Sequence, residues 1–303
     1  MRYEVGEVTA VHYAEVATAL GASRLAALTR DRELESLVGD RWRRARELPN
    51  SANHVDANAV GIWPLLLGDP LGEGLALADG QWRETNDDGL TPQARFWIDD
   101  VWMIGALQAE AWRRTGERRF LDRAALTAQA YLERLQRPSG LFDHGPEAPF
   151  YWGRGNGWVA AGLAEVLSVL PTDHSRRDPI LAGYRRMMAA LLEYQAPSGL
   201  WHQLVDRADA WPETSGSAMF AFAFLRGVAA GLLPAEPYRS AALRAWSGLA
   251  AQVEPDGRLR GVCVGTGLSA DAQYYLERPV VTGDLHGQAA LLWTAAELVG
   301  PSA

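Results

Sequence analysis

Asp99 and Asp100 are adjacent carboxylates in the run "FWIDDVWM", with Trp97 and Trp102 on either side. Taking an ionised carboxylate out of water is costly unless it is paired, and indoles gain little from facing water. A concave site that stacks a sugar ring on Trp and keeps one carboxyl group for proton transfer accounts for both features. A plainer role fits the same residues: Asp99 as the N-cap of the following helix, its carboxylate on free backbone N–H groups. Taken alone, the pair leaves the two readings level. Four other segments carry comparable polar groups just before apolar bodies. They are His54 and Asp56 in "NHVDANAV", Arg154 between Trp152 and Trp158 in "YWGRGNGW", Glu213 and Ser215 in "PETSGS", and Asp284 and His286 in "TGDLHGQA".

The elements that must position these groups are helices. Apolar residues recur at i, i+3, i+4 and i+7 through most of the chain, which predicts about eleven helices and no train of alternating strands. Gly or Pro ends most of them. The stretches "LERLQRPSGLFDHG" and "LLEYQAPSGLWHQL" place Gly140 and Gly199 in one context, 59 residues apart. Gly257 continues the series 58 residues later, and Gly80 in "LALADGQW" extends it 60 residues backwards. Such a period, with two helices in each, predicts stacked helical hairpins. The expected fold is all-α, an (α/α)6 barrel of about six hairpins, in a single catalytic domain over residues 1–303, with an open solenoid as the alternative. If the inner helices run parallel, their polar starts gather at one mouth. There the helix dipoles favour an anionic ligand.

Composition narrows the chemistry. The 303 residues are 48% apolar, enough for a large core, and no run is long enough to span a bilayer. The stretch "MRYEVGEVTAVHYAEV" carries acids where a signal peptide would be apolar, which reads as cytoplasmic. One cysteine, Cys263, excludes an internal disulfide and a multi-Cys metal site, and a net charge of −8 argues against nucleic acid as a partner. All 29 basic residues are Arg, so Schiff-base chemistry through Lys is excluded. Twelve Trp in an acidic chain fit a carbohydrate cleft. Nothing in the sequence specifies an oligomer.

Four spaced segments, "RFWIDDVWMIGALQAEAWRRTG", "GLFDHGPEAPFYWGRGNGWVAAGLAEVL", "GLWHQLVD…WPETSGSAMFAFA" and "VCVGTG…YYLERPVVTGDLHGQA", resemble the successive signatures of glycoside hydrolase family 105. These are the unsaturated rhamnogalacturonyl hydrolases, related to the unsaturated glucuronyl hydrolases of family 88. The resemblance runs in order from about His54 to Trp293. It implies an (α/α)6 barrel with no metal or organic cofactor. It also implies a reaction in which a 4,5-unsaturated uronic acid is removed from the non-reducing end of an oligosaccharide by hydration of its double bond.

By position, Asp99 matches the family's general acid/base and Asp56 the assisting carboxylate. Trp97, His144, Trp152, Arg154 and Trp158 fall on substrate-contacting positions. A carboxyl group on an apolar wall beside a second carboxylate holds its proton more readily, and Arg154 would grip the substrate carboxylate as a bidentate fork. Asp100 is the neighbour that could exchange roles with Asp99. The loop after His144, "HGPEAPFYW", is shorter than in many members and carries Glu147, which bears on selectivity for the attached sugar. A sugar epimerase with paired His bases and a non-catalytic carbohydrate-binding toroid are the rival readings.

Overall fold

The computed structural model describes residues 11–48 and 53–300, so most of the acidic N-terminal stretch lies outside it. The first half of the chain runs α1 (Tyr13–Thr29), α2 (Arg32–Ala45), α3 (Val55–Asn58), a 3-10 turn (Ala59–Gly61), α4 (Ile62–Leu66), α5 (Glu73–Gly80), α6 (Asp100–Thr115) and α7 (Arg118–Leu135). Next come α8 (Gly153–Val169), α9 (Arg177–Glu193), β1 (Trp201–His202), β2 (Pro212–Glu213), α10 (Thr214–Ala229) and α11 (Ala235–Ala250). The chain continues through β3 (Val262–Cys263), α12 (Ala272–Leu276), β4 (Val280–Val281) and α13 (Leu285–Val299). The strands form two short antiparallel ladders, with Trp201 opposite Glu213 and Val262 opposite Val281. They tie down the loops ahead of α10 and α13.

Contacts run from α1 to α4, α6, α8, α10, α13 and back to α1, so the ring closes and the open solenoid is excluded. Helices α2, α5, α7, α9 and α11 pack outside it. This is an α/α toroid. The expected six hairpins resolve into five plus a final inner helix, because among the described residues no outer helix follows α13. The two layers follow from composition. The inner α8 is mostly apolar or small, and every residue from Gly153 to Leu167 is buried, Arg154, Asn156 and Glu165 included. The outer α7 buries one stripe through Phe120, Leu121, Ala124, Ala128 and Tyr131 and leaves Arg118, Arg119 and Arg134 exposed. At Gly162 a side chain would strike the backbone of Trp102, so α6 and α8 approach as closely as they do only because that position is glycine.

The repeat lies in the turns leading from each outer helix to the next inner one. Gly140, Gly199 and Gly257 all have φ between 84° and 92°, and each closes the same pair of bonds: Arg137 N–H to Leu141 O, Ala196 N–H to Leu200 O, and Glu254 N–H to Arg258 O span them. The fourth member is Gly89, where Asn86 N–H reaches Leu90 O. Gly80, expected to fill this place, is the last residue of α5. Two turns also dock on the next outer helix through one device. Gln136 donates to Gly140 O and Gly183 O and accepts from Arg186, and Gln195 does the same with Gly199 O, Ala241 O and Arg244.

The far end of the ring is closed by charge. Arg24 of α1 and Arg113 of α6 both bond Glu165 of α8, Arg24 and Arg113 also reach Glu110 of α6, and Arg226 of α10 pairs with Glu297 of α13 at 3.2 Å. Five of the six inner members therefore bring charge to this end in two bonded sets, and Arg226 and Glu297 act on the Glu165 set through space. No described helix is long and apolar enough to cross a membrane.

Candidate active site

Every inner member begins at the other mouth, and most of its polar starts are caps. His12 accepts from Ala14 N–H, His54 from Asp56 N–H, Glu213 from Ser215 and Gly216 N–H, and Asp284 from His286 N–H. Asp99 is different. It holds the cap position of α6 but its side chain accepts no capping hydrogen bond. Its Oδ2 is buried without a hydrogen-bond partner in the protein and faces His144 Nε2, equally unpartnered, at 3.5 Å. Buried polar atoms are nearly always bonded, so two facing orphans call for an explanation. A group kept for proton transfer supplies one, because catalytic contacts are often long before substrate tightens them. His144 is itself fixed: its Nδ1 lies 2.8 Å from the Tyr275 hydroxyl and its ring packs 4.6 Å from Trp152.

Asp100 points elsewhere and is saturated. It takes bonds from Arg95 N–H, the Arg95 guanidinium and the Tyr131 hydroxyl at 2.7 Å, and it is wholly buried. Burial lifts its carboxyl to about 6 even though Arg95 and Tyr131 pull the other way. With no free lone pair aimed at the mouth, Asp100 is an anchor for Arg95. Arg95 in turn stands 5.0 Å over the Trp97 ring and reaches Asp56 Oδ1 at 3.4 Å. The backbone turns sharply here. Phe96 sits at φ 59°, a left-handed conformation that a bulky residue adopts only under constraint. Tyr131 supplies that constraint, accepting Phe96 N–H at 2.9 Å and stacking on its ring. The kink aims Asp99 and Asp100 in different directions. Asp56, more than a third exposed, also lies 3.5 Å from His54. The charges of Asp56 and Asp99 act together on Arg95 and on Tyr13.

The remaining expected contacts form the wall. Trp97 is partly exposed, whereas His144, Trp152, Arg154 and Trp158 are buried. Trp158 joins Trp102 and Trp293 in the core and presents only an edge to Tyr13, 5.9 Å away. Arg154 stacks 4.7 Å from Trp152, and its two terminal nitrogens bond the carbonyls of Cys263 and Val264. The fork assigned to a substrate carboxylate is thus occupied by backbone, because β3 runs directly past it. Its unpartnered donor is Nε. What Arg154 gives the mouth is charge, felt by Tyr13 and His286.

Tyr13, Arg95, Tyr131 and Tyr275 take part without having been singled out in the sequence. Tyr13 had a signal: α1 is an inner helix, so its start had to share the mouth with the others. Among the described residues no cluster of three His, Cys, Asp or Glu side chains is placed to hold a metal ion.

Comparison with known proteins places this geometry. Residues 79–300 match the model of Glycosyl Hydrolase Family 88. The chain belongs to that family. A 24.9 kDa protein in the picA locus of Rhizobium radiobacter is 30% identical over 223 residues, covering 63% of this chain and 95% of the relative. The unsaturated rhamnogalacturonyl hydrolase YesR of Bacillus subtilis is 27% identical over 192 residues, 60% of this chain and 54% of YesR. Among solved structures, a possible member of family 105 from Salmonella enterica superposes with a TM-score of 0.87 at 22% identity, covering 99% of this chain and 87% of that one. The family 88 toroid carries its match from the end of α5 through α13. That stretch holds Asp99, His144, Arg154 and His286, while Asp56 and Tyr13 precede it.

Proposed function

We propose that this glycoside hydrolase removes a 4,5-unsaturated uronic acid from the non-reducing end of a pectin-derived oligosaccharide by hydrating its C4=C5 double bond. The observation that carries the reading is Asp99, buried at the mouth, uncapped and without a hydrogen-bond partner on Oδ2. Family membership and the activity for which YesR is named support it. Asp99 gives its proton to C4 and water adds at C5. The hemiketal opens, and the rest of the sugar leaves as the ring collapses. Asp56, open to solvent and steadied by Arg95, assists from the side, and Trp97 offers its accessible face to the sugar ring. His144, fixed by Tyr275, faces Asp99 at 3.5 Å. The name of YesR makes a rhamnose-linked uronide the substrate to test first.

The test is an unsaturated galacturonyl-rhamnose disaccharide followed by ultraviolet absorbance of its conjugated enoate. Hydration removes that band, while the saturated disaccharide stays intact. A preparation that cleaves the saturated sugar and spares the unsaturated one would refute the reading.

Arg154 supports the site in two ways, and its substitution separates them. Arg154→Ala takes the buried Cys263 carbonyl's guanidinium partner away, which costs about 1–3 kcal/mol of stability. It also removes the positive charge that faces an anionic substrate, so KM rises. Arg154→Lys recovers little of either, because an ammonium cannot span two carbonyls while stacking on Trp152. Thermal unfolding and KM measured on the same preparations check this; a stable Arg154→Ala protein with unchanged KM would contradict it.

A further inference from the structure

Tyr13, His286 and Asp284 form a hydrogen-bonded chain across the mouth, joining the first inner helix to the last. His286 Nδ1 lies 2.6 Å from Asp284 Oδ1, and His286 Nε2 lies 2.9 Å from the Tyr13 hydroxyl. The positions of the hydrogens follow from charge. Burial alone would raise Asp284, but its bonds to His286 outweigh that and hold it at about 2, so it is a carboxylate that only accepts. Nδ1 therefore carries the ring hydrogen. Burial, reinforced by Arg154, lowers His286 to about 4, so near neutral pH the ring has one hydrogen and Nε2 is bare. Tyr13 must donate to Nε2. Burial keeps the Tyr13 hydroxyl protonated at rest. The free lone pairs of its oxygen then point away from His286, on a side chain that is only partly buried.

The groups that act on this chain come from every neighbouring start. They are His12 at the cap of α1, Asp56 on α3, Asp99 at the head of α6, and Arg154 on α8. Asp99 and Tyr13 stand at helix starts of the same mouth with opposite tasks: the first gives a proton in the proposed reaction, and the second has a base behind it. Asp284 also caps α13 through His286 N–H at 2.9 Å, so the chain is anchored at its far end.

We propose that Tyr13, backed by His286 and Asp284, takes the proton released by the water that adds to the substrate's double bond. The proposal rests on the hydration reading above. Asp99 transfers its proton to C4 as the water oxygen bonds to C5. The proton leaving that oxygen passes to Tyr13 Oη, while the Tyr13 hydrogen moves to His286 Nε2. One water is consumed, Asp99 ends as a carboxylate, and His286 ends as an imidazolium beside Asp284. Return of that proton to Asp99 through solvent resets the site, with no oxidant or reductant. An oxygen newly bonded to an electron-poor carbon is strongly acidic, so a base as weak as this buried imidazole suffices. Tyr13 is the catalytic residue in this step; His286 and Asp284 act through it.

The experiment compares wild type, Tyr13→Phe and Asp284→Asn on the unsaturated galacturonyl-rhamnose disaccharide, with circular dichroism to verify folding. Tyr13→Phe should lower kcat by about 10² or more, as expected for loss of a positioned general base, and leave KM nearly unchanged. Asp284→Asn retains a good helix cap but loses the charge that stabilises the imidazolium, so kcat should fall by about tenfold or more, again with little change in KM. A split of this kind is not what a packing defect produces. Folded variants whose kcat stays within a few-fold of wild type, or whose loss lies in KM, would overturn the relay and leave hydration intact. Wild type that leaves the enoate untouched would overturn both.

Discussion

Asp99→Asn is expected to remove nearly all turnover and leave the toroid folded. Asparagine keeps the size and polarity of the side chain and loses the transferable proton. General acid–base catalysis contributes about 10² to 10⁴ in rate, so kcat should fall at least that far. Were Asp99 merely a cap, the same change would cost about 1 kcal/mol of stability at most and spare the kinetics. The geometry already weighs against a cap, because the Asp99 carboxylate bonds none of the N–H groups of α6. Asp100→Asn should behave in the opposite way. It would leave Arg95 without its buried carboxylate and weaken the hold on the kink at Phe96, so the defect should be in stability first. Steady-state kinetics and urea unfolding of both variants decide between them. Full activity in Asp99→Asn alongside a folded, inactive Asp100→Asn would transfer the role to the neighbour.

The second large effect concerns the closed end of the barrel. Burial alone would raise the Glu165 carboxyl, but Arg24, Arg113 and Arg226 hold it well below the usual carboxylate range. Glu165→Gln removes the buried carboxylate that Arg24 and Arg113 share and leaves them only Glu110, and breaking a buried pair from one side costs about 3–5 kcal/mol. The sign with pH follows from the direction of the shift. A carboxyl depressed in the folded state stabilises fully above its unfolded value of about 4.3 and loses that contribution as pH falls below it. The gap between wild type and Glu165→Gln should therefore be widest near neutrality and narrow in acid. Urea unfolding at the two pH values measures it, and a small gap that is the same at both would show that the network adds nothing.

The toroid was legible because helical period and turn chemistry leave direct marks on a sequence. Gly140, Gly199 and Gly257 could be aligned by eye since each fills the one position of its turn that needs positive φ. Gly80 misled because spacing alone selected it. The matching turn at Gly89 sits nine residues later, after the chain has left α5 and bonded Asn86 to Leu90. Closure of the ring and the number of outer helices among the described residues were beyond a period count.

At the site, the sequence placed polar groups at the correct helix ends but not their directions. Asp99 and Asp100 differ by one position, and what separates them is the left-handed Phe96 and the Tyr131 hydroxyl 31 residues later in the chain. Neither has a signature in local periodicity. Arg154 was found, yet its orientation depends on carbonyls at Cys263 and Val264, over a hundred residues away. The ionic network at the far end was missed for a simpler reason. Glu165 sits alone in an apolar run, and a pattern reading treats a lone charge on a helix as a solvated face.

The central claim is that water adds across a double bond and the glycosidic bond is not displaced at the anomeric carbon. Isotope placement tests it most directly. Reaction of the unsaturated disaccharide in D₂O should put deuterium at C4 of the released uronic acid, and H₂¹⁸O should deliver label to C5 at the earliest time points, with none at the anomeric carbon before ring opening. Label arriving first at C1, with C4 free of deuterium, would mean ordinary glycoside hydrolysis and contradict the mechanism.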